Sequence, residues 1–223
     1  MENGKLYIVA TPIGNMEDIT LRALETLRTV DLILCEDTRV TKNLLNHYAI
    51  KTPTLSYHEY SDSAKIKEVQ ELLAKGKNLA LVTDAGTPGI CDPGNYLIEQ
   101  ITKNNKETTV IPIPGSSALI AALSISGFPT DNFLFLGFPP HKKGRQTFFK
   151  ELAKTKTTVV FYESSHRIQK CLTELAASLN PERKICICRE LTKKFETVYR
   201  GTMTEIMTIK IPEKGEFVII ISK

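Results

Sequence analysis

The sequence of 223 residues predicts an α/β protein with two domains. Short runs rich in Val, Ile and Leu alternate with segments of helical periodicity along the whole chain. Apolar strands separated by helices indicate a mainly parallel sheet that is covered on both faces. With 42% hydrophobic and 24% charged residues, the chain has the apolar content of a folded protein with a sizeable core and not that of a disordered one.

Four strands and three helices are predicted in the first half of the chain. The apolar runs that predict the strands are 6–10, 32–35, 79–83 and 109–113. Apolar residues at a spacing of three or four, preceded by Ser or Thr caps, indicate the helices. These helices begin after Thr20, span 41–47, and run from Ser61 or Ser63 to Gly76.

The second half differs in character from the first, although strands and helices are predicted there too. Its predicted helices are Ser117–Ser126, Arg145–Lys154 and Ile168–Ser178. Its predicted strands are Phe133–Leu136, Thr158–Tyr162, Lys184–Cys188 and Phe217–Ile221, and the alternation over Glu196–Arg200 suits an antiparallel strand. The segment Pro112-Ile113-Pro114-Gly115 marks a boundary, so the predicted domains are residues 1–113 and 114–223.

Charge is distributed unevenly between these two halves. Residues 1–113 contain 12 Lys and Arg against 15 Asp and Glu, whereas residues 114–223 contain 17 against 10. The basic half indicates a polyanionic partner that is contacted mainly by one domain. A solvated, lysine-rich surface is the alternative interpretation.

The sequence has no pattern typical of a membrane protein, a metal site or the common nucleotide-binding motifs. It has no apolar run of about 18 residues and no signal-peptide pattern, so we expect a cytoplasmic protein without a membrane association. The five cysteines show no CxxC spacing and HExxH is absent, so buried free thiols and no metal are expected. Neither GxGxxG after a strand nor a P-loop pattern occurs.

Four polar loops follow predicted strands, at residues 11–15, 36–39, 84–94 and 114–117. Ligands of open parallel sheets bind beyond the carboxyl ends of the strands, so these loops are expected to gather around one ligand. Their glycines permit close backbone approach or positive φ, and their prolines fix the chain path. A complex turn without a ligand is the alternative interpretation of the 84–94 loop.

Taken together, the loops and several later segments form an ordered set of motifs. These are Thr11-Pro12-Ile13-Gly14-Asn15, Glu36-Asp37-Thr38-Arg39, Ser56-Tyr57-His58-Glu59, Asp84-Ala85-Gly86-Thr87-Pro88, Phe161-Tyr162-Glu163-Ser164, His166-Arg167, Arg189-Glu190-Leu191-Thr192-Lys193 and Gly215-Glu216-Phe217-Val218. Over nearly the whole chain they resemble the bacterial small-subunit ribosomal RNA (cytidine 2′-O)-methyltransferases, a branch of the tetrapyrrole methylase superfamily. Ser165, Cys91 and Ser116 depart from the family pattern, which has proline, serine and proline there.

This resemblance implies two α/β domains of the tetrapyrrole methylase type, with the cofactor S-adenosylmethionine in the cleft between them, and a homodimer. It implies methylation of the ribose 2′-oxygen of a cytidine in the decoding region of small-subunit ribosomal RNA, within the small ribosomal subunit. By the same resemblance, the residues of the cofactor pocket are Pro12, Asp84, Gly86, Thr87, Pro88, Ser116, Ser117, Tyr162 and Leu191.

Candidate catalytic residues follow the second predicted strand. A ribose hydroxyl is a weak acid, so a general base would assist methyl transfer, and Glu36 or Asp37 is the candidate, with Arg39 holding the pair or a phosphate. Adjacent residues of an extended strand point in opposite directions, so both are not expected to act on one atom. A helix cap or an ion pair is the alternative role for either carboxylate, and His58 and His166 are alternative bases.

Basic residues of the second half are candidates for RNA phosphate contacts, which give affinity and salt dependence rather than base identity. They are Lys142, Lys143, Arg145, His166 and Arg167. Tyr57 and Phe138 are candidates for stacking on a flipped nucleotide, with core packing as the alternative for Phe138.

Three function classes therefore remain: an RNA ribose methyltransferase, a methyltransferase acting on a tetrapyrrole or other small molecule, and a non-catalytic RNA-binding module. The motifs and the basic second half favour the first. A reaction insensitive to salt would favour the second, and absence of S-adenosylmethionine binding would favour the third.

Overall fold

The structure is a computed structural model, and it describes residues 3–58, 63–92, 94–104 and 107–223. Its chain forms two compact units, Met1–Ser117 and Ala118–Lys223. The division lies four residues after the predicted boundary, and the domain bounds 1–113 and 114–223 stay a prediction. The predicted residues Glu59, Ser61 and Pro93 lie outside the described residues.

The first unit contains one five-stranded parallel sheet. Its strands are β1 (Leu6–Val9), β2 (Leu32–Cys35), β3 (Thr54–Ser56), β4 (Leu79–Leu81) and β5 (Val110–Ile113). Their order across the sheet is β3-β2-β4-β1-β5, and every pair is parallel. The predicted parallel sheet is confirmed in this unit, and the carboxyl ends of all five strands lie at one edge.

Four helices cover the two faces of this sheet. They are α1 (Leu21–Thr29), α2 (Thr38–His47), α3 (Ser63–Ala74) and α4 (Gly94–Asn104). Leu24 and Leu27 of α1 pack on one face, whereas Val69 of α3 and Leu97 of α4 pack on the other. The Thr20 side chain accepts a hydrogen bond from the backbone of Ala23, which confirms it as the cap of α1.

The second unit contains a mixed sheet. Its strands are β6 (Phe133–Phe135), β7 (Thr158–Glu163), β8 (Lys184–Arg189), β9 (Thr197–Thr202) and β10 (Phe217–Ile221), in the order β6-β7-β10-β8-β9. Only β6 and β7 are parallel, and the other pairs are antiparallel. The antiparallel strand predicted near 196–200 is confirmed as β9.

Its helices are α5 (Ala118–Ser126), α6 (Arg145–Lys154), α7 (Ile168–Ser178) and α8 (Met203–Thr208). Side chains of α6, α7 and α8 form one core with β7, β8 and β10, in which Phe149, Phe161 and Phe217 are the largest fully buried residues. Among the described residues, no helix is long and apolar enough to cross a membrane. Four cysteines are buried and free, and Cys91 is free but exposed.

Candidate functional site

Two of the predicted loops are hydrogen bonded to each other at the carboxyl edge of the first sheet. Thr11, after β1, and Gly86, after β4, exchange backbone hydrogen bonds of 2.9 and 3.1 Å. The buried Thr11 hydroxyl also donates to the Thr83 carbonyl at 3.0 Å. β1 and β4 are neighbours in the sheet, so the loops that follow them start side by side. This places the predicted residues Pro12 and Gly86 next to each other.

The loop after β5 joins the same group. The Thr87 hydroxyl donates to the Ser116 carbonyl at 3.1 Å, and the Ser116 hydroxyl donates to the Asp18 carbonyl at 3.1 Å. A Cβ atom at Gly115 would lie 3.0 Å from the Ala10 Cβ, so this loop lies close against the end of β1. The structure thus brings together the loops of the first unit that contain Pro12, Gly86, Thr87 and Ser116, whose cofactor role stays a prediction.

Asp37 is paired with Arg39 and begins α2. Its carboxylate accepts the backbone N–H of Arg39 at 2.8 Å and the Arg39 guanidinium at 2.7 Å, although the Arg39 side chain is exposed. Hydrogen bonds from the Arg39 side chain and backbone lower the pKa of Asp37 to about 2. A carboxylate with so low a pKa is a weak base at neutral pH. Between the two interpretations, the geometry favours the helix cap and ion pair for Asp37.

Glu36 lines a pocket at the ends of β2 and β4, and it is exposed. The pocket is small and partly open to solvent, and it is lined by Glu36, Tyr57, Leu81, Val82, Thr83, Pro88, Asp92 and Gly94. Asp84 accepts the backbone N–H of Asp37 at 3.3 Å. Burial, together with the negative charge of Asp37, raises the pKa of Asp84 above its ordinary value.

Asp92 is a candidate that the sequence analysis missed. Burial is the main cause that raises its pKa to about 6, and the charges of Glu36 and Asp84 raise it further, although the Thr83 hydroxyl donates a hydrogen bond to it. A carboxylate with a pKa close to neutral pH in a pocket is a typical general base. Its position within the 84–94 loop was visible in the sequence, but its proximity to Glu36, from the loop after β2, was not.

Two residues predicted for the cofactor pocket belong to the second unit. Tyr162, on β7, has its ring centre 5.1 Å from Phe135 and 5.4 Å from Phe138. Leu191 is buried and lies between Glu190 and Thr192, which both have positive φ, of 53° and 65°. Strained backbone of this kind is concentrated at ligand sites. A cofactor role for Tyr162 and Leu191 stays a prediction.

The residues predicted to contact RNA differ in exposure. Lys142, Lys143 and His166 are exposed, and the Arg167 side chain is 15% exposed. The Arg145 side chain is only 3% exposed and is paired with Glu163 and Glu174 at 3.0 and 2.7 Å. Because its donors are engaged within the chain, Arg145 is a buried structural residue, and the prediction that it contacts phosphate is corrected.

The aromatic and histidine candidates also differ in exposure. Tyr57 is 2% exposed and packs in the first-unit core, so stacking of its ring on a nucleotide is contradicted. Phe138 is 50% exposed, which is compatible with the stacking role. His58 is exposed and lies directly after this buried tyrosine.

Comparison with known proteins identifies the family. Residues 5–207 match the sequence model of the Tetrapyrrole (Corrin/Porphyrin) Methylases. The chain belongs to this family.

Among the relatives of this methylase are proteins named "Ribosomal RNA small subunit methyltransferase I". The one from Synechocystis is 48% identical and aligns over 98% of this chain and 79% of its own length. The one from Thermotoga maritima is 45% identical over 98% of both chains. The predicted family resemblance is therefore confirmed by full-length relatives.

Solved structures confirm the predicted fold class of the methylase. Uroporphyrin-III-C-methyltransferase from Thermus thermophilus superposes with a TM-score of 0.69 at 18% identity and covers 99% of this chain and 94% of its own. A diphthine synthase superposes with a TM-score of 0.75 at 14% identity, covering 99% and 90%. At such low identity, these likenesses concern the fold alone.

Proposed function

We propose that this methylase transfers the methyl group of S-adenosylmethionine to the ribose 2′-oxygen of a cytidine in the decoding region of small-subunit ribosomal RNA. The observation that carries the proposal is the identity of 45–48% with full-length relatives named as ribosomal RNA methyltransferases. The proposed compartment is the cytoplasm, where the small ribosomal subunit is available. The homodimer and the position of the cofactor between the domains stay predictions.

The charge of the first-unit site fits S-adenosylmethionine. Glu36, Asp37, Asp84 and Asp92 place carboxylates after β2 and β4, and such a concentration of one charge favours a ligand of the opposite charge. S-adenosylmethionine carries a sulfonium and an ammonium group. Among the described residues, no group of three or more His, Cys, Asp or Glu is arranged to hold a metal ion.

Bound S-adenosylmethionine supplies an electrophilic methyl group that needs no further activation. The ribose 2′-hydroxyl that accepts this methyl group would have to lose its proton. The residues of the chain align the acceptor oxygen and receive that proton. Asp92 and Glu36 line the pocket and are the proposed proton acceptors, whereas Arg39 keeps Asp37 ionised at the start of α2.

The deciding experiment is incubation of the purified protein with radiolabelled S-adenosylmethionine and small ribosomal subunits that lack the modification. Label on the 2′-oxygen of one decoding-region cytidine, mapped by nuclease digestion and mass spectrometry, is expected. Binding of S-adenosylmethionine without transfer to subunits or to free ribosomal RNA would favour a small-molecule acceptor. Absence of both binding and transfer would favour an RNA-binding module.

Replacement of Gly86 with Ala should lower the free energy of unfolding by about 1–2 kcal/mol, because Gly86 has φ of 87°. It should also weaken S-adenosylmethionine binding in equilibrium dialysis, since the strain lies in the proposed pocket. Gly127→Ala is the matched control: Gly127 has φ of 77° and no atom within 4 Å of its added Cβ. Equal loss of S-adenosylmethionine affinity in both variants would contradict a role of Gly86 in the pocket.

Lys142→Ala and Lys143→Ala should each weaken RNA binding and reduce the slope of log K against log salt by about 0.7. Both side chains are exposed, and neither forms an ion pair within the described part of the chain. The measurement is RNA affinity between low and moderate salt. Lys154→Ala, which removes an exposed lysine paired with Glu151, is the control and should leave the slope unchanged. An unchanged slope in all three variants would contradict a contact between the Lys142–Lys143 loop and RNA.

A further inference from the structure

A fully buried carboxylate, that of Glu163, lies at the end of β7. In the sequence it stands between two basic segments, Lys142–Lys143 and His166–Arg167. The Glu163 side chain has 0% exposure and contacts two guanidinium groups, Arg145 at 3.0 Å and Arg167 at 2.8 Å. The same carboxylate accepts the backbone N–H of Ser164 at 2.8 Å. Within the described residues, these polar contacts of Glu163 come from inside the second unit.

Both arginines extend from Glu163 to the loop that precedes α6. Arg145 donates to the Pro140 carbonyl at 3.2 Å, and Arg167 donates to the Pro139 carbonyl at 3.2 Å. Two consecutive carbonyls of one loop are thus bound to one carboxylate through two guanidinium groups. This loop continues directly into the exposed Lys142 and Lys143.

The cluster has a second carboxylate. Glu174 on α7 contacts the Arg145 guanidinium at 2.7 Å and the Lys170 ammonium group at 4.0 Å. Burial on its own would lower the pKa of Arg145, but hydrogen bonds to Glu174 and Glu163 raise it above its ordinary value. A buried ion cluster gives little net stability compared with packed apolar residues, and in some proteins such clusters fix a specific geometry instead.

We propose that Glu163 is a positioning residue: through Arg145 and Arg167 it fixes the Lys142–Lys143 loop relative to His166, so that both segments meet the RNA phosphates together. This inference rests on the proposed function, because it concerns how RNA is held. Arg167 links the buried cluster to the His166 segment, since it contacts Glu163 and follows His166 in the chain. The ordering of the loop is a property of the chain alone and does not depend on RNA.

Glu163→Gln tests the inference, because it keeps the size of the side chain and removes its charge. We expect hydrogen exchange of the backbone amides at 141–144 to accelerate, and KM for unmodified ribosomal RNA to rise about 10- to 100-fold, with kcat and S-adenosylmethionine affinity nearly unchanged. Glu163→Asp retains the charge but is one methylene shorter, so it should fold and show a smaller change of the same kind. Glu151→Gln, which removes an exposed carboxylate of α6, is the control and should change neither quantity.

Wild-type loop exchange and KM in a folded Glu163→Gln or Glu163→Asp variant would overturn the inference. A parallel loss of kcat, RNA affinity and S-adenosylmethionine affinity would also overturn it, because that pattern indicates general destabilisation. If Glu163→Gln does not fold, Glu163→Asp decides between these results. Failure of the proposed function would appear differently, as absence of RNA binding and methyl transfer in the unaltered protein.

Discussion

Replacement of Asp92 with Asn should lower kcat for methyl transfer by about 100-fold or more, the usual contribution of a general base. Asp92 lines the same pocket as Glu36, and its pKa of about 6 makes it a stronger base than Asp37, whose pKa is about 2. Asp37→Asn is the comparison: it should leave the chemical step largely intact and affect the start of α2. Single-turnover rates with unmodified small subunits measure the step directly.

The pH dependence tests the assignment independently. A base must be ionised to act, so kcat/KM should fall about tenfold for each pH unit below the Asp92 pKa of about 6. Glu36→Gln removes one negative neighbour and should move this acidic limb to lower pH, but only in part, because burial is the largest cause of the raised pKa. An Asp92→Asn variant that keeps both its rate and the acidic limb would transfer the role to Glu36.

Asp92→Asn, which is expected to lower kcat, should raise the stability of the fold. The pKa of Asp92 is raised in the folded chain, so folding is favoured by protonation and disfavoured as pH rises through about 6. This cost accumulates between the ordinary aspartate pKa of 3.8 and the folded pKa of about 6, so Asp92→Asn should raise the free energy of unfolding fully above pH 6 and hardly at all below pH 3.8, measured by urea unfolding at about pH 3.5 and pH 8. A carboxylate that lowers stability is expected where function requires it.

The sequence was sufficient to predict the bounds of elements that have a strong apolar pattern. The bounds of α6, α7 and β10 were predicted without error, because each has a regular apolar pattern. Strand direction was not predictable in the second unit: β7, β8 and β10 are almost entirely buried, so their continuous apolar runs look like those of a parallel sheet. The helix α8 was missed although Thr202 and Glu205 form a capping box, whose spacing is visible in the sequence.

The site was predictable as a set of loops but not as a set of roles. Glu36 and Asp37 are adjacent, and only the structure pairs one with Arg39 and places the other in a pocket. Arg145 and Lys143 lie in one basic segment, and no local pattern shows that only the arginine meets Glu163 and Glu174 in the core. Roles that depend on contacts between distant segments require the fold.

Removal of the Arg145 side chain should be the most destabilising change of a charged residue in the second unit. Arg145→Ala leaves Glu163 without one of its two partners, and breaking a buried pair from one side costs about 3–5 kcal/mol. Lys143→Ala, at an exposed position of the same segment, should stay within about 0.5 kcal/mol of the unaltered protein. Urea unfolding followed by circular dichroism compares the two. Normal stability with weakened RNA binding in Arg145→Ala would restore the phosphate contact predicted from the sequence.

A double replacement separates stability from loop positioning. Arg145→Met combined with Glu174→Leu removes one cation and one anion and leaves Glu163 paired with Arg167. Because Glu174 is removed together with Arg145, the double variant should recover part of the stability lost in Arg145→Ala, although Glu163 still lacks one of its two guanidinium partners. It lacks the donor to the Pro140 carbonyl, so the amides at 141–144 should still exchange faster than in the unaltered protein. Recovery of stability together with slow exchange would mean that Arg145 is not needed to order the loop, and the positioning role of Glu163 would then run through Arg167 alone.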